Sequence, residues 1–308
     1  MDVTDDPAPI ATRRALKAVA RHRAMGLHFL GHYLGIEGVP DQADETARLL
    51  LPDRESGEQV TDVGLGVFVD LAMGQAVRTR LARGMRLATS SLVMHVAPGR
   101  IERPIEVQAD VEWLEDRENG GSAAVHFTVT ATDGSTVATG SGSFVTIPAD
   151  SGQNVAIVDW SKAAPVEQAD RAELTPHEEA AVSAVESAAP SGATTFDGLL
   201  DLTWGAVEGD TLTGELLVGP QHDNRVGDLQ GGLVYGIGAT AARRLFGGRR
   251  RIIDGQVLYL RPVGHGPLTI AATVLRPGRR MSFVRVVLEA GGKQSAELTY
   301  TLGADGTA

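Results

Sequence analysis

The sequence contains no cysteine among its 308 residues, which excludes disulfides, thiolate metal sites and a cysteine nucleophile. It also lacks any run of about 18 apolar residues, so we expect neither a transmembrane helix nor a membrane partner. Near the N-terminus, arginines are spread among alanines instead of flanking an uninterrupted apolar stretch, which argues against a signal peptide. Together these absences predict a cytoplasmic protein.

Basic charge is also scarce, because the net charge is −11 at pH 7. Nucleic-acid binding needs a basic face, so we expect no nucleic-acid partner, although a few local arginines could still hold a small anion. The chain has no Gly-x-Ser-x-Gly elbow, no phosphate loop, no dinucleotide-binding glycine fingerprint and no cluster of metal-binding histidines. We therefore expect no metal and no resident cofactor.

What the chain does have is an internal repeat. Residues 63–68 resemble residues 229–234, and each stretch follows an aspartate and leads into an Ala-rich apolar segment. Similar strand beginnings and turns recur farther along both halves, at an offset that stays near 160 residues. One repeat is therefore a whole domain, not a unit of a solenoid.

Each copy has the same predicted order of elements. A leading helix (about 8–30 and 176–188) is followed by a strand pair, a Gly-containing turn, a long apolar helix and three strands of alternating polarity. The second leading helix has a clear start, since Thr175 and Glu178 form a capping box around a proline.

The predicted fold class is α+β, with an antiparallel sheet packed around one long helix in each copy. We predict an N-terminal domain over 1–148, a linker that includes the second leading helix over 149–195, and a C-terminal domain over 196–308. The linker is rich in Ala, Ser, Glu and Asp.

A long helix after a Gly-rich turn, wrapped by an antiparallel sheet, resembles the hotdog fold. Residues 224–232, Asn-Arg-Val-Gly-Asp-Leu-Gln-Gly-Gly, are similar to the Asn-x-x-Gly-x-x-His-Gly-Gly motif of phenylacetyl-CoA thioesterase-like proteins, with Gln230 in place of the histidine. The resemblance covers about 31–147 and 196–303 and is stronger in the second half. It implies two tandem hotdog domains that act on an acyl-CoA-type thioester.

Thioester hydrolysis needs a polarised carbonyl oxygen, and it needs either an activated water or an attacking carboxylate. Gly231 and Gly232, at a helix N-terminus, are the candidate N–H donors to the carbonyl, because glycine lets the backbone come close to a ligand. Asn224 and Gln230 could orient this turn or add a hydrogen bond. Alternatively, the two glycines serve only close packing of helix and sheet.

The carboxylate is expected on the long helix of the partner repeat, as the resemblance implies. The helix after Gly232 has no acid, whereas the helix after Gly66 contains Asp70. Each copy thus keeps the half-site that the other lacks, which predicts one composite site and one dead site. If Gly66 aligns with Gly232, the expected acid position is Met73; an alignment shifted by three residues places Asp70 there. An ion-paired structural role for Asp70 is the alternative.

Arginines could bind the phosphates of CoA, because a guanidinium group matches phosphate oxygens. The predicted CoA-binding residues are Arg276, Arg279 and Arg280, around a Pro-Gly turn, and a solvated turn is the alternative. The cluster at 249–251 is a second candidate. Minor candidates for the chemistry are Gln75 and His222.

Three functions remain open at this stage. The first is an acyl-CoA thioesterase with Asp70 as base or nucleophile, and the second is a non-catalytic acyl-binding protein. An enoyl-thioester hydratase is the third and has least support, because the Asp-x4-His pattern of that branch is missing. An Asp70 that faces the Gln230–Gly232 turn would favour the thioesterase. The expected partner is a small-molecule acyl thioester, and pairing of hotdog units could also give a homo-oligomer.

Overall fold

The computed structural model describes residues 7–26, 29–39, 46–52, 59–81, 84–117, 119–150, 158, 167–188 and 199–304. In the N-terminal repeat, two helices and two strands precede a long helix, and four strands follow it. These elements are α1 (Pro7–Met25), α2 (Phe29–Leu34), β1 (Glu37–Gly38), β2 (Thr46–Leu51), α3 (Asp62–Arg78), β3 (Met85–Val96), β4 (Ile105–Glu115), β5 (Gly121–Ala131) and β6 (Thr136–Pro148).

The C-terminal repeat has the same order with a single leading helix. Its elements are α4 (Pro176–Ala188), β7 (Thr203–Glu208), β8 (Thr211–Val218), α5 (Gly231–Arg244), β9 (Arg250–Tyr259), β10 (Gly266–Arg276), β11 (Met281–Ala290) and β12 (Lys293–Ala304). The capping box is present: the Thr175 N–H donates to Glu178 Oε2 over 2.8 Å, and the Glu178 N–H donates to Thr175 Oγ1 over 3.3 Å.

The twelve strands of the described residues form one antiparallel sheet in the order β1-β2-β4-β5-β6-β3-β9-β12-β11-β10-β8-β7. This order is a palindrome of the two repeats, and β3 pairs with β9 at its centre, from Ser91 opposite Leu258 to His95 opposite Asp254. The repeats are therefore joined through the sheet. The prediction of two tandem hotdog domains in an α+β fold is confirmed.

The two long helices lie in the core and contact each other, which fixes the position of each repeat's functional residues. A Cβ at Gly232 would lie 2.4 Å from Val67 Cα, and one at Gly236 would lie 2.5 Å from Val63 Cα. No larger residue fits at these two crossings. Glycine here brings the backbones of α3 and α5 together near their N-terminal ends.

Two expectations about local structure are wrong. The leading helix does not run to residue 30: α1 ends at Met25, because Gly26 takes a positive φ of 81° that stops a helix. In the first repeat, Gly64 and Gly66 do not form a turn before the long helix, since α3 begins at Asp62. The side chain of Thr61 caps this helix by accepting a hydrogen bond from the Gly64 N–H.

The sequence also underestimated the number of strands, since four strands follow each long helix instead of three. The extra strands are β3 and β9, which form the junction of the repeats. Much of the predicted linker, at 151–157, 159–166 and 189–195, lies outside the described residues, so the domain boundaries stay a prediction. Among the residues that the structure describes, no helix is long and apolar enough to cross a membrane.

Candidate active site

Asp70 lies in the middle of α3 with its carboxylate against the N-terminus of α5. Gln230 Nε2 donates to Asp70 Oδ2 over 2.6 Å, and Thr89 Oγ1, on β3, donates to Asp70 Oδ1 over 2.9 Å. The backbone N–H of Gly232 also donates to this carboxylate. A Cβ at Gly231 would lie 3.0 Å from both of its oxygens. One carboxylate of the first repeat thus meets the Gln-Gly-Gly turn of the second.

Burial raises the pKa of Asp70 from its usual 3.8 to about 6. Three favourable contacts oppose that rise, namely the hydrogen bonds from Thr89 and from the Gly232 N–H and the positive charge of Arg78. The group is therefore ionised at neutral pH but is a far stronger base than an exposed aspartate. A carboxyl group with such a pKa can accept a proton from water near neutral pH.

Gln230 is the N-cap of α5, and both ends of its side-chain amide are held. Its Oε1 accepts a hydrogen bond of 3.0 Å from the Leu233 N–H, which leaves Nε2 pointing at Asp70. Tyr259 Oη donates to the Gly231 carbonyl over 2.8 Å and fixes the other side of the turn. The N–H of Gly231 is the first of the helix, and no acceptor for it occurs among the described residues. It is an unused donor at the positive end of the helix dipole.

The helix caps decide the register between the repeats. Gln230 and Thr61 both cap a long helix and are 169 positions apart, as are Ala239 and Asp70. With this offset, Gly232 corresponds to Val63 and Gly236 corresponds to Val67. The close approach of Gly232 to Val67 is then the symmetric counterpart of the close approach of Gly236 to Val63. The alignment of Gly66 with Gly232 is therefore wrong, and Asp70 occupies the place that Ala239 occupies in the second repeat. Met73 does not occupy it.

The equivalent position in the other half of the molecule has different chemistry. Ala239 offers no carboxylate there, and Thr61 stands in place of Gln230. Asp62, the counterpart of Gly231, forms an ion pair of 3.0 Å with Arg243 of α5. Burial raises the pKa of Asp62, while Arg243 opposes the rise. The equivalent position therefore contains the Asp62–Arg243 ion pair, whereas the candidate site contains the free N–H of Gly231 and the basic carboxylate of Asp70.

A cavity of about 460 Å³ opens beside Asp70. Its walls come from both repeats: α3 and β3 from the first, and the turn before α5 with the end of β9 from the second. Gln75, a buried residue of α3, also lines the cavity. Apolar side chains form about half of the rest of the wall: Leu71, Leu87, Ala88, Phe144, Val145, Ile147, Val226, Leu229, Val234, Leu260, Pro262, Val263, Leu288 and Ala296. The volume and the mixed lining are typical of a site for a small molecule with an apolar part.

Asn224 lines the cavity, but its side-chain oxygen is engaged in the loop. Oδ1 accepts hydrogen bonds from the N–H groups of Val226, at 2.8 Å, and Asp228, at 3.1 Å. This residue therefore shapes the turn that precedes α5. His222 is likewise structural: it is fully buried, with Nε2 2.9 Å from the Leu199 carbonyl oxygen and Nδ1 accepting from the Gly219 N–H.

The structure does not bring Arg276, Arg279 and Arg280 to this cavity. They lie at the turn between β10 and β11, next to Met281, whereas the cavity meets β11 at Leu288. Seven residues along a strand separate these points by roughly 23 Å. The three arginines do not line this cavity, and their contact with the phosphates of a bound CoA stays a prediction. The cluster at 249–251 does not line the cavity either, and Arg250 donates to the Gly278 carbonyl at that same distant turn.

Sequence reasoning missed two groups of residues at the site. Thr89 and Tyr259 hold Asp70 and the glycine turn, yet each is a single polar residue in a strand and carries no local motif. The second group is the four arginines that line the cavity, Arg78, Arg86, Arg225 and Arg261. Of these, Arg225 could have been found, because it lies inside the Asn224–Gly232 motif.

The second repeat matches the sequence model of the family described as "Acyl-CoA thioesterase N-terminal domain", over residues 222–303. Among solved structures, an oleoyl thioesterase from Lactobacillus plantarum covers 84% of this chain and 96% of its own, at 13% identity and a TM-score of 0.52. The tesB protein of Mycobacterium avium subsp. paratuberculosis covers 88% and 96%, at 12% identity and a TM-score of 0.54. The sequence matches no curated protein.

At such low identity the two structures speak for the fold alone, and both extend over the two repeats. The family match concerns the sequence of the second repeat alone, from His222 to Gly303 in β12. The chain therefore carries the hotdog fold in two tandem repeats, and its second repeat is similar to acyl-CoA thioesterase domains.

Proposed function

We propose that this protein hydrolyses an acyl-CoA-type thioester at one composite site between its two repeats. The observation that carries the proposal is the contact of Asp70 with Gln230 and Gly232, which brings a basic carboxylate of one repeat to the helix N-terminus of the other. An acid buried this deeply is costly unless it has a partner or a purpose. No cation pairs with Asp70 within ion-pair distance among the described residues, so its burial is not explained by a salt bridge.

The reaction follows from these positions. The thioester carbonyl oxygen accepts the free N–H of Gly231, where the helix dipole stabilises negative charge. Asp70 removes a proton from a water molecule, and the water oxygen bonds to the carbonyl carbon while the carbonyl electron pair moves onto its oxygen. Collapse of this intermediate re-forms the carbonyl and breaks the carbon–sulfur bond. The departing CoA thiolate takes the proton from Asp70, which returns to its carboxylate form. The acyl group is released as a carboxylic acid.

Direct attack by Asp70 is the other route that the same geometry permits. A carboxylate oxygen then bonds to the carbonyl carbon, CoA thiolate leaves, and water hydrolyses the resulting anhydride. The two routes differ in the fate of the oxygen atoms. A single turnover in ¹⁸O-labelled water places the label in Asp70 only if the anhydride breaks at the Asp70 carbonyl, so mass spectrometry of the protein after turnover tests for that route.

A non-catalytic acyl-binding protein would need the same cavity but not its carboxylate. The raised pKa of Asp70 and the unused Gly231 N–H are chemical features that binding of an apolar chain does not require. We propose further that the site works without a metal or resident cofactor, on a substrate free in the cytoplasm. The CoA moiety enters only as part of that substrate.

The test is cleavage of a panel of acyl-CoAs, followed with a reagent that detects the released thiol. We expect turnover by the wild-type protein, and a loss of roughly a hundredfold or more in both Asp70→Ala and Asp70→Asn, in line with removal of a base or nucleophile. Asp210→Asn is the matched control, since Asp210 is exposed and lies outside the cavity. Turnover that is indifferent to Asp70 would remove the composite site from consideration.

A further inference from the structure

Gln75 is a buried polar residue that the proposed hydrolysis does not use. It lies on α3, lines the cavity and is 7% exposed. Its side-chain amide forms no hydrogen bond with any residue that the structure describes. Buried amides are nearly always paired, because an unpaired one is costly. The Gln75 amide therefore indicates a polar group on the molecule that the cavity binds.

The position of Gln75 relative to the reacting centre follows from the packing of α3 on β3. Thr89 binds Asp70, and a Cβ at Gly74 would lie 3.9 Å from Leu87, so the two elements run in opposite directions along the cavity. Gln75 follows Asp70 by about 7.5 Å along the helix axis. Helical side chains lean toward the N-terminus, so the amide reaches back from there toward Asp70.

Two arginines of the cavity wall lie farther along on the same side. Arg78 is about 12 Å beyond Asp70 along the axis of α3, and Arg86 is about 10 Å beyond Thr89 along β3. Neither side chain forms a hydrogen bond or an ion pair with a described residue, and the Nε atom of Arg86 is buried. We call Gln75, Arg78 and Arg86 the α3 strip, a row of hydrogen-bond donors that the described part of the chain leaves unused.

The second repeat supplies a contrasting, apolar part of the wall. Val234 on α5, Leu288 on β11 and Ala296 on β12 line the cavity and are at most 4% exposed. The α3 strip leads to the surface instead, because α3 ends at Arg78 and the following Thr79 is exposed. One cavity with two such walls favours a ligand that has an apolar half and a polar half.

The thiol half of an acyl-CoA-type thioester has polar groups at intervals that match the α3 strip. The first amide nitrogen of its pantetheine arm is four bonds from the thioester carbon, and the second is four bonds farther. An extended chain advances about 1.2 Å per bond, so these amides lie about 5 Å and 10 Å from the reacting carbon. A glutamine side chain can donate to and accept from an amide, whereas a guanidinium group donates to its carbonyl oxygen.

We propose that the α3 strip binds the pantetheine arm, with Gln75 hydrogen-bonded to its first amide and Arg78 donating to the carbonyl oxygen of its second. This inference rests on the proposed hydrolysis and makes Gln75 and Arg78 the residues that determine specificity for the thiol. Arg86 supplies a further donor toward the surface. The acyl chain then lies against the apolar wall of the second repeat.

The experiment shortens the thiol of a hexanoyl thioester in two steps. Hexanoyl-pantetheine has both amides, hexanoyl-N-acetylcysteamine has only the first, and the hexanoyl thioester of 2-methoxyethanethiol has neither. For wild type we expect kcat/KM to fall by roughly tenfold at each step, which is the usual contribution of one hydrogen bond. In Gln75→Leu the fall on removal of the first amide disappears, and in Arg78→Met the fall on removal of the second amide disappears.

Two matched controls are available at exposed positions outside the cavity. Gln256→Leu on β9 and Arg100→Met on the β3–β4 turn should keep both falls in kcat/KM. Thermal unfolding separates binding from a structural role: because the Gln75 amide is buried without a partner, Gln75→Leu should leave the unfolding temperature unchanged or raise it. A lower unfolding temperature would assign Gln75 to the fold and contradict the inference.

Two kinetic results would also overturn the inference. One is equal kcat/KM for all three thioesters in wild type, and the other is an equal loss for all three in Gln75→Leu, which would place Gln75 away from the thiol. Binding of free CoA, measured by titration calorimetry on wild type and Gln75→Leu, separates this inference from the proposed hydrolysis. CoA binding that depends on Gln75, without cleavage of any thioester, would support the α3 strip and refute the thioesterase.

Discussion

Asp70→Asn is expected to stabilise the protein while it abolishes turnover. The aspartate and the asparagine have the same shape, and the asparagine amide can still accept from Gln230 Nε2 and donate to Thr89 Oγ1. What the substitution removes is a negative charge that is buried at neutral pH. Because burial raises the pKa of Asp70, the folded state holds this charge less favourably than the unfolded chain does.

The size of the effect follows from the two pKa values. The pKa of Asp70 is about 6 in the folded protein and 3.8 in its usual range, and each pH unit between them corresponds to ~1.36 kcal/mol. Ionised Asp70 therefore destabilises the fold by about 3 kcal/mol above pH 7, and that deficit disappears as pH falls below 3.8. The gain from Asp70→Asn is largest at pH 8 and shrinks to about 1 kcal/mol at pH 4.5, where the folded aspartate is already protonated.

Urea unfolding of both proteins at pH 8 and pH 4.5 measures this difference, and Asp210→Asn, at an exposed position, serves as the matched control. A gain that is the same at both pH values would mean that the pKa of Asp70 is not raised in the folded state. A loss of stability at pH 8 would mean that its charge is compensated. Either result would remove the electrostatic basis of the proposed base.

Three further substitutions test the surroundings of Asp70. Thr89→Val removes a hydrogen bond that lowers the pKa of Asp70. The kcat/KM–pH profile, which is expected to fall toward acid pH with a midpoint near 6, should therefore shift to a higher midpoint. An unchanged midpoint would contradict the titration of Asp70. Tyr259→Phe frees the Gly231 carbonyl and should lower kcat by about tenfold at a cost of about 1 kcal/mol in unfolding free energy, and an unaffected kcat would show that this turn needs no support. Gly232→Ala places a Cβ 2.3 Å from a carbonyl oxygen of α3 and should reduce the unfolding free energy by about 3 kcal/mol; a neutral result in urea unfolding would contradict the close helix crossing.

The periodic elements of this fold were readable from the sequence because burial of one face leaves a period-2 or helical pattern. The seam strands β3 and β9 were not, since residues on both of their faces are partly covered and the alternation is lost. The end of α1 at Gly26 is set by a single backbone angle. A periodic pattern of side chains does not contain that information.

The acid of the candidate site could be predicted, because a lone aspartate in an apolar helix needs a reason to be there. The alignment of this acid with the second repeat could not be predicted, because the glycines of the two repeats have different roles. Gly231 and Gly232 begin a helix, whereas Gly66 lies within one. A Cβ at Gly66 would lie 2.5 Å from a backbone oxygen of the facing helix. The arginines that line the cavity were missed for a related reason. A cluster in sequence, such as Arg279 with Arg280, is easier to see than a cluster in space drawn from separate parts of the chain.

The two repeats are related by a pseudo-twofold axis and are joined in one chain, with β3 of the first repeat paired with β9 of the second. In a dimer of identical chains, every substitution would appear at both sites, so a charge that improves one would be imposed on the other. Here Asp70 has Ala239 as its counterpart and Gly231 has Asp62, combinations that a symmetric dimer cannot contain. Because both halves belong to one chain, equivalent positions can carry different residues. The proposed hydrolysis then has one site in 308 residues, where a dimer of single-repeat chains would have two.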